Sequence, residues 1–590
     1  MRHTALIIVA IAIIVSGSAR RAYGQGVLTY PGCNATYKDA DFKTETLVKW
    51  DPVKITGGTL DTSLNEPVKL AVGADAQGNV EVYFVELRGA LKVYRAADKS
   101  VHTIGKVAVE TGPSAGNPEQ GLMGVALDPK FAVNRRIYLY HSVATGKPNG
   151  SYRITRYTLS ADRLSMAEPK TLIDFPVQYK DCCHTGGGMQ FDDLGDLWFS
   201  VGNNEGRGSD GFDEKDSVYS GEWGSSSTAS LRGGVSRIHP KDDGTYSIPK
   251  GNFGEYWAAE WDKQGKTALA ADYRNTAKVR PEIYVKGNRN PYGIGLDKVR
   301  RWVVVGDVGP DGDRPDGTGM GEDHDLYLHP AFGGWPYFAG NSRKNGPNWA
   351  AKDPLKPTNT SKWNKGAQEL PPAQTPLWEE HNGASFGSTF YRYDKNNKST
   401  VKLPAYFHKH FIWGNWSGGS FYVAKIDDNG NMVGKKTDIF KNGTTNGPTD
   451  IELGPDGAMY VVNYSGFFSR APETRIDRIY YTGAQCDVDI PVEKAGCAAK
   501  DPSVTLNVPE ACETGSGLAQ PATGKPESFR SLSVTLGGSR IMAWPHGIRR
   551  LELYDMRGRL AFACERAGDA ATLRIPEGTP QGLYQALMIR

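Results

Sequence analysis

Beyond its first 24 residues this chain has no apolar run of the roughly 20 residues that a bilayer core requires, so no later segment is expected to cross a membrane as a helix. No Cys-x-x-Cys-His motif occurs, which excludes covalently attached c-type haem. Neither sign of charge dominates. With 69 Lys and Arg against 66 Asp and Glu, the formal charge is +3, and no basic footprint for nucleic acid or an anionic membrane is present. Sustained helical periodicity is almost missing between residues 45 and 480, which argues against a bundle. Cysteine is scarce as well, at seven.

What is present begins with Arg2 and His3, the apolar run Ala5–Val15 and small residues at Ala22 and Gly24. These read as a secretory signal peptide over residues 1–24, cleaved before Gln25; an uncleaved anchor is the competing reading. The expected location is secreted: periplasm, cell surface or medium. Export permits disulfides. Adjacent Cys182 and Cys183 are candidates for a vicinal bond, while Cys33, Cys486, Cys497 and Cys512 make two possible pairs and leave Cys564 over. At 590 residues, 39% hydrophobic and 23% charged, the chain is expected to be globular with more than one domain.

The 70 glycines fit many short strands joined by turns. One pattern recurs, an alternating apolar run, an Asp/Gly turn and a second β-branched or aromatic run. It appears at residues 70–84, 125–140, 189–199, 294–305 and 451–461. Period-two alternation about a short turn predicts hairpins, and their wide spacing predicts one hairpin per blade of a β-propeller, with an array of β-sandwiches as the rival. Long polar insertions at about 205–280 and 340–380 are expected to be surface loops, with ligand specificity as their possible use.

Four Gly-rich turns carry the chemistry-bearing residues: Cys182–Gly188 with His184, Gly287–Pro291 with Arg289 and Asn290, Gly306–Asp311, and Gly333–Pro336. Together with Glu119–Pro129 upstream, and in this order, they resemble the glucose/sorbosone dehydrogenase family of soluble quinoprotein sugar dehydrogenases, over residues 45–482. The resemblance implies an all-β chain with six four-stranded blades that binds pyrroloquinoline quinone and Ca2+ and oxidises a sugar or polyol, passing electrons to an external acceptor. His184 then matches the base that takes the hydroxyl proton, a task suited to an imidazole that titrates near neutral pH. Arg289, also a catalytic candidate, and Asn290 match donors to the quinone, Glu119 matches a further residue facing the site, and the Gly309 and Pro310 carbonyls match calcium ligands. Two departures stand against this. Cys183 replaces the Asp common before the histidine, leaving no evident partner to orient the imidazole. The turns Asn415–Gly419 and Asn446–Asp450 lack the basic residues that clamp the three cofactor carboxylates. A non-catalytic propeller that binds carbohydrate or a protein partner is therefore the second expectation, and a lactonase-like hydrolase a distant third.

Residues 25–44 read as an N-terminal extension and 483–527 as a Cys/Pro/Gly-rich linker. Alternation resumes over 528–590, predicting a small C-terminal β-sandwich. Its segments Leu553–Arg559 and Gly582–Tyr584 resemble sorting domains of the type IX secretion route, which implies the secretion machinery as partner; an immunoglobulin-like accessory module is the alternative.

Overall fold

The computed structural model describes residues 28–50, 64, 66–111, 119–144, 149–179, 183–204, 221–309, 321–340, 353–361, 363–381, 383–440, 447–464, 474–486 and 488–490, together with the backbone of the C-terminal strands. The signal-peptide region, Cys182, Pro310 and most of residues 483–527 lie outside the described residues.

Six sheets, antiparallel except for the parallel outer pairing of Ile283–Lys286 with Ala331–Phe332 in blade 3, stand in a ring and form a six-bladed propeller. The innermost strands are, in chain order, Pro67–Ala74, Leu122–Leu127, Met189–Phe191, Pro291–Asp297, Ser385–Tyr391 and Pro448–Leu453. Each packs beside the next, and the last packs back on the first. The ring is closed by Phe42–Lys49, which pairs with Arg475–Tyr481 as the outer strand of blade 6. The expected propeller boundary at residue 45 thus falls inside a strand. A Cys33–Cys486 disulfide ties the two ends of the propeller chain together.

Each inner strand turns through a hairpin into the second strand of its blade, and these hairpins share one face of the disc. Asp75 and Asp192 show how the sequence builds them. Asp75 Oδ1 accepts from the amides of Gln77 and Asn79, Asp192 Oδ1 from those of Leu194 and Asp196, with Gly78 and Gly195 supplying the left-handed residue. The loops entering the inner strands lie on the opposite face. This fixed polarity decides where ligands can sit.

The structure adds to the sequence reading in three places. The 205–280 insertion contains the helices Phe253–Lys263 and Thr267–Arg274. The first buries Phe253, Tyr256, Ala258 and Trp261 along one side and packs on the blade 3 strand Ile283–Lys286. Its stripe is short and rich in aromatics, so helical periodicity was weak over a long window. The blade 5 hairpin, Ser385–Tyr391 with His410–Asn415, has residues 392–409 between its strands and therefore lacked the short-turn signature. Residues 483–490 also pack rather than hang free: Val488 and Ile490 are buried, and Tyr393 Oη donates to the Cys486 carbonyl.

In the tail, Phe529–Leu536, Gly582–Ile589, Arg550–Asp555 and Leu560–Glu565 form one sheet in that order, and Ile541–Ala543 pairs with Thr572–Arg574. This agrees with a small all-β unit. No helix among the described residues is long and apolar enough to cross a membrane.

Candidate active site

The loops entering blades 2, 3 and 4 bring Glu119, His184, Arg289 and Asn290 to one mouth of the central channel, all buried. The contacts are direct. Glu119 Oε2 accepts from the Thr185 amide at 3.1 Å and from Asn290 Nδ2 at 3.2 Å. Asn290 Oδ1 accepts from the Gly186 amide at 3.1 Å. One carboxylate and one amide thus stitch three blades together. Burial raises the Glu119 carboxyl above its ordinary range, against the backbone donors, Asn290 and the nearby Arg289 charge, which lower it.

The loop carrying His184 is strained. Cys183 and His184 have φ of 95° and 55°, a left-handed conformation that side chains with a Cβ rarely adopt. Cys183 is disulfide-bonded; the vicinal pairing read from the sequence involves Cys182, outside the described residues. Gly202 lies against the loop, and a Cβ there would sit 2.1 Å from the His184 carbonyl oxygen. The loop can close over the strand end only because residue 202 has no side chain.

The orienting partner absent from the sequence motif is Asn203. His184 Nδ1 lies 2.7 Å from Asn203 Oδ1. An amide oxygen only accepts, so Nδ1 carries the proton and Nε2 is left as the basic nitrogen. Asn203 also donates its own amide to the Arg289 carbonyl at 2.8 Å, which locks the two loops together. The signal for it was Gly202-Asn203-Asn204, directly after the blade 3 strand Leu197–Val201. Its relation to His184 required the blade to be folded.

Arg289 and Asn290 are held from below by Asp307. Its two oxygens accept from the Arg289 amide at 3.0 Å and the Asn290 amide at 2.7 Å, while burial pushes its carboxyl up to about 6. The Arg289 side chain caps main-chain oxygens, with Nη1 donating to Val308 at 3.1 Å and to Gly309 at 2.6 Å. The Gly309 carbonyl expected to ligate calcium therefore already receives a guanidinium. Among the described residues no cluster of His, Cys, Asp and Glu could hold a metal. Glu322 accepts from the Gly309 amide at 3.0 Å, and burial pushes it up to about 8.

The Asn446–Asp450 turn, which has no basic residue of its own, meets one from another blade. Lys69, on the inner strand of blade 1, reaches the Thr449 carbonyl at 3.3 Å and Asp450 Oδ1 at 3.4 Å. Its strongest contact, 2.6 Å, is with the Tyr292 carbonyl of blade 4, across the channel axis. Burial lowers its ammonium and raises the Asp450 carboxyl. The mouth therefore fits a proton-abstracting site with donors for a polar acceptor. It does not fit a tricarboxylate clamp among the described residues, since Arg289 is engaged on backbone oxygens and Lys69 is held by Asp450.

Comparison with known proteins agrees with the family read from the sequence. Residues 64–255 match the family described as Glucose / Sorbosone dehydrogenase. An uncharacterized protein of Synechocystis sp. is 24% identical over 394 residues, 65% of this chain and 79% of that one. A solved structure described as glucose dehydrogenase shares the fold at a TM-score of 0.50 and 18% identity, covering 75% of this chain and 99% of its own. The PQQ-bound aldose sugar dehydrogenase of Streptomyces coelicolor aligns at a TM-score of 0.48 and 16% identity, over 75% and 98% of the two chains.

Proposed function

From the glucose/sorbosone dehydrogenase signature over residues 64–255, we propose that this protein is an exported oxidoreductase that oxidises a hydroxyl of a sugar or polyol. The observation that carries the chemistry is the His184–Asn203 pair at the channel mouth. Oxidising a CH–OH group removes a hydroxyl proton and a hydride. His184 Nε2 takes the proton, and Asn203 keeps Nδ1–H facing away and accommodates the imidazolium that forms. Glu119 and Asn290 hold the loop that carries His184, so the base is placed by three blades. Arg289 sets positive charge beside the site, where negative charge develops on the hydride acceptor. A quinone, when bound, supplies that acceptor. The Gly309 carbonyl that would ligate calcium accepts from the Arg289 guanidinium.

The test is reduction of an artificial electron acceptor by the purified protein with a panel of aldoses and polyols, with quinone and calcium each added and withheld. Activity lost in His184→Ala supports the reading. Inactivity across the panel with both additions removes it.

A second reading is supported by the same cations. With Arg289 and Lys69 both engaged by the protein, the mouth also suits a propeller that binds a carbohydrate and does no chemistry on it. Binding on a glycan array by protein inactive in the redox assay distinguishes the two.

A further inference from the structure

The channel is closed by two bridges across its axis. One is Lys69 of blade 1 on the Tyr292 carbonyl of blade 4. The other is Gln190 of blade 3, whose Nε2 donates to Glu452 Oε1 of blade 6 at 2.8 Å while its Oε1 accepts from the Leu296 amide at 3.1 Å. On the hairpin side of the second bridge lies a cavity of about 500 Å³, to which the inner strands or hairpins of all six blades contribute. Its size is that of an ordinary small-ligand pocket. It lies on the face opposite His184, and the two bridges separate it from that site.

The cavity has apolar walls, including Val72, Leu127, Met189 and Leu296, and a carboxyl floor at Glu452. The cations at its rim are already paired: Arg392 makes two bonds to Asp297, and Lys298 lies 4.0 Å from Asp193. At the floor, Asp450 is ion-paired with Lys69, while Glu452 accepts from Gln190 and feels Lys298 and Lys69 only at longer range. Among the described residues Glu452, the carboxyl that lines the cavity, makes no direct ion pair.

We propose that this cavity is a second ligand site, which takes a small primary amine with an apolar body and seats its ammonium on the Glu452 carboxylate. The apolar walls cover the body, the Gln190 bridge holds the carboxylate in place, and the cation completes the floor charge. Burial and the neighbouring Asp450 push Glu452 up to about 8, against Gln190, Lys298 and Lys69, which lower it, and this favours its protonated form at neutral pH. Binding is then an exchange: the ligand arrives as an ammonium, and Glu452 releases one proton to solvent. The inference does not rest on the dehydrogenase reading.

The experiment is calorimetric titration of the full-length protein with benzylamine, benzyl alcohol and benzoate at pH 7, in two buffers of different ionisation enthalpy. Benzylamine is expected to bind at about millimolar strength or tighter, with a buffer-dependent heat that reports proton release. Glu452→Gln should weaken it by about tenfold or more, as should Leu453→Trp, which fills the cavity from its wall. Absence of benzylamine binding, equal binding of benzoate, or unchanged affinity in a folded Glu452→Gln protein would each overturn the proposal.

Discussion

The two mouths of the channel are the two ends of the same six strands, yet they differ in kind. At the His184 mouth, long connections enter the strands, and polar groups meet across blades, Glu119 with Thr185 and Asn290 and Asn203 with Arg289, as well as within blade 3, Asn203 with His184. Its loop is strained, with left-handed φ at Cys183, His184, Gly186 and Gly187. At the other mouth, mostly short hairpins satisfy their own backbone through local Asp turns, and the space between them stays open. Long connections can be spent on chemistry because they are not needed to turn the chain. Hairpins are held by their own turn rules and leave a cavity whose character comes from strand ends.

The largest expected effect sharpens this contrast. His184→Ala should reduce turnover by about 10²–10⁴-fold, the scale of a positioned base, with little change in melting temperature. Benzylamine binding at the far mouth should be untouched. Steady-state kinetics and calorimetry on one preparation check both.

Next is Lys69, which belongs to neither mouth but to the bridge between them. Lys69→Met leaves Asp450 buried without its cation and should destabilise the fold by about 3–5 kcal/mol. The double variant Lys69→Met/Asp450→Leu should recover much of this in chemical denaturation. If the single variant is as stable as the parent, the bridge is not what holds the two mouths apart.

A smaller effect is expected at Asn203. Asn203→Ala should lower turnover by about tenfold, the value of one hydrogen bond of roughly 1.4 kcal/mol, and should shift the pH–rate profile because the Nδ1 tautomer is no longer fixed. An unshifted profile would assign Asn203 a purely structural role.

A further test probes the far mouth by pH. Glu452 has an ordinary value of 4.5 and is pushed up to about 8 in the fold. Between those values the folded chain keeps a proton that the unfolded chain has lost, so this group makes stability fall as pH rises from 4.5 to 8 and level off above. Its slope is at most about 1.4 kcal/mol per pH unit. Melting temperatures across that window should decline less steeply in Glu452→Gln; an identical decline would mean the carboxyl titrates normally.

Much of the propeller was legible because its rules are local. Alternation about an Asp/Gly turn is written within about ten residues, and five of the six first hairpins carry it. The sixth did not, because residues 392–409 separate its strands. His184, Arg289 and Asn290 were legible as members of Gly-rich turns. Asn203 and Lys69 were not, since neither sits in such a motif and each gains its meaning from another loop or blade.

Chain order and local chemistry were thus enough to determine which residues turn, which alternate, and which turns carry polar side chains. Only the folded blades could decide that Asn203 faces His184 and that Arg289 caps the Gly309 carbonyl, and only the closed ring that Gln190 and Glu452 meet across the axis. The physical reason is separation along the chain. Gln190 and Glu452 lie 262 residues apart, and such contacts form only when the inner strands of all six blades surround one axis.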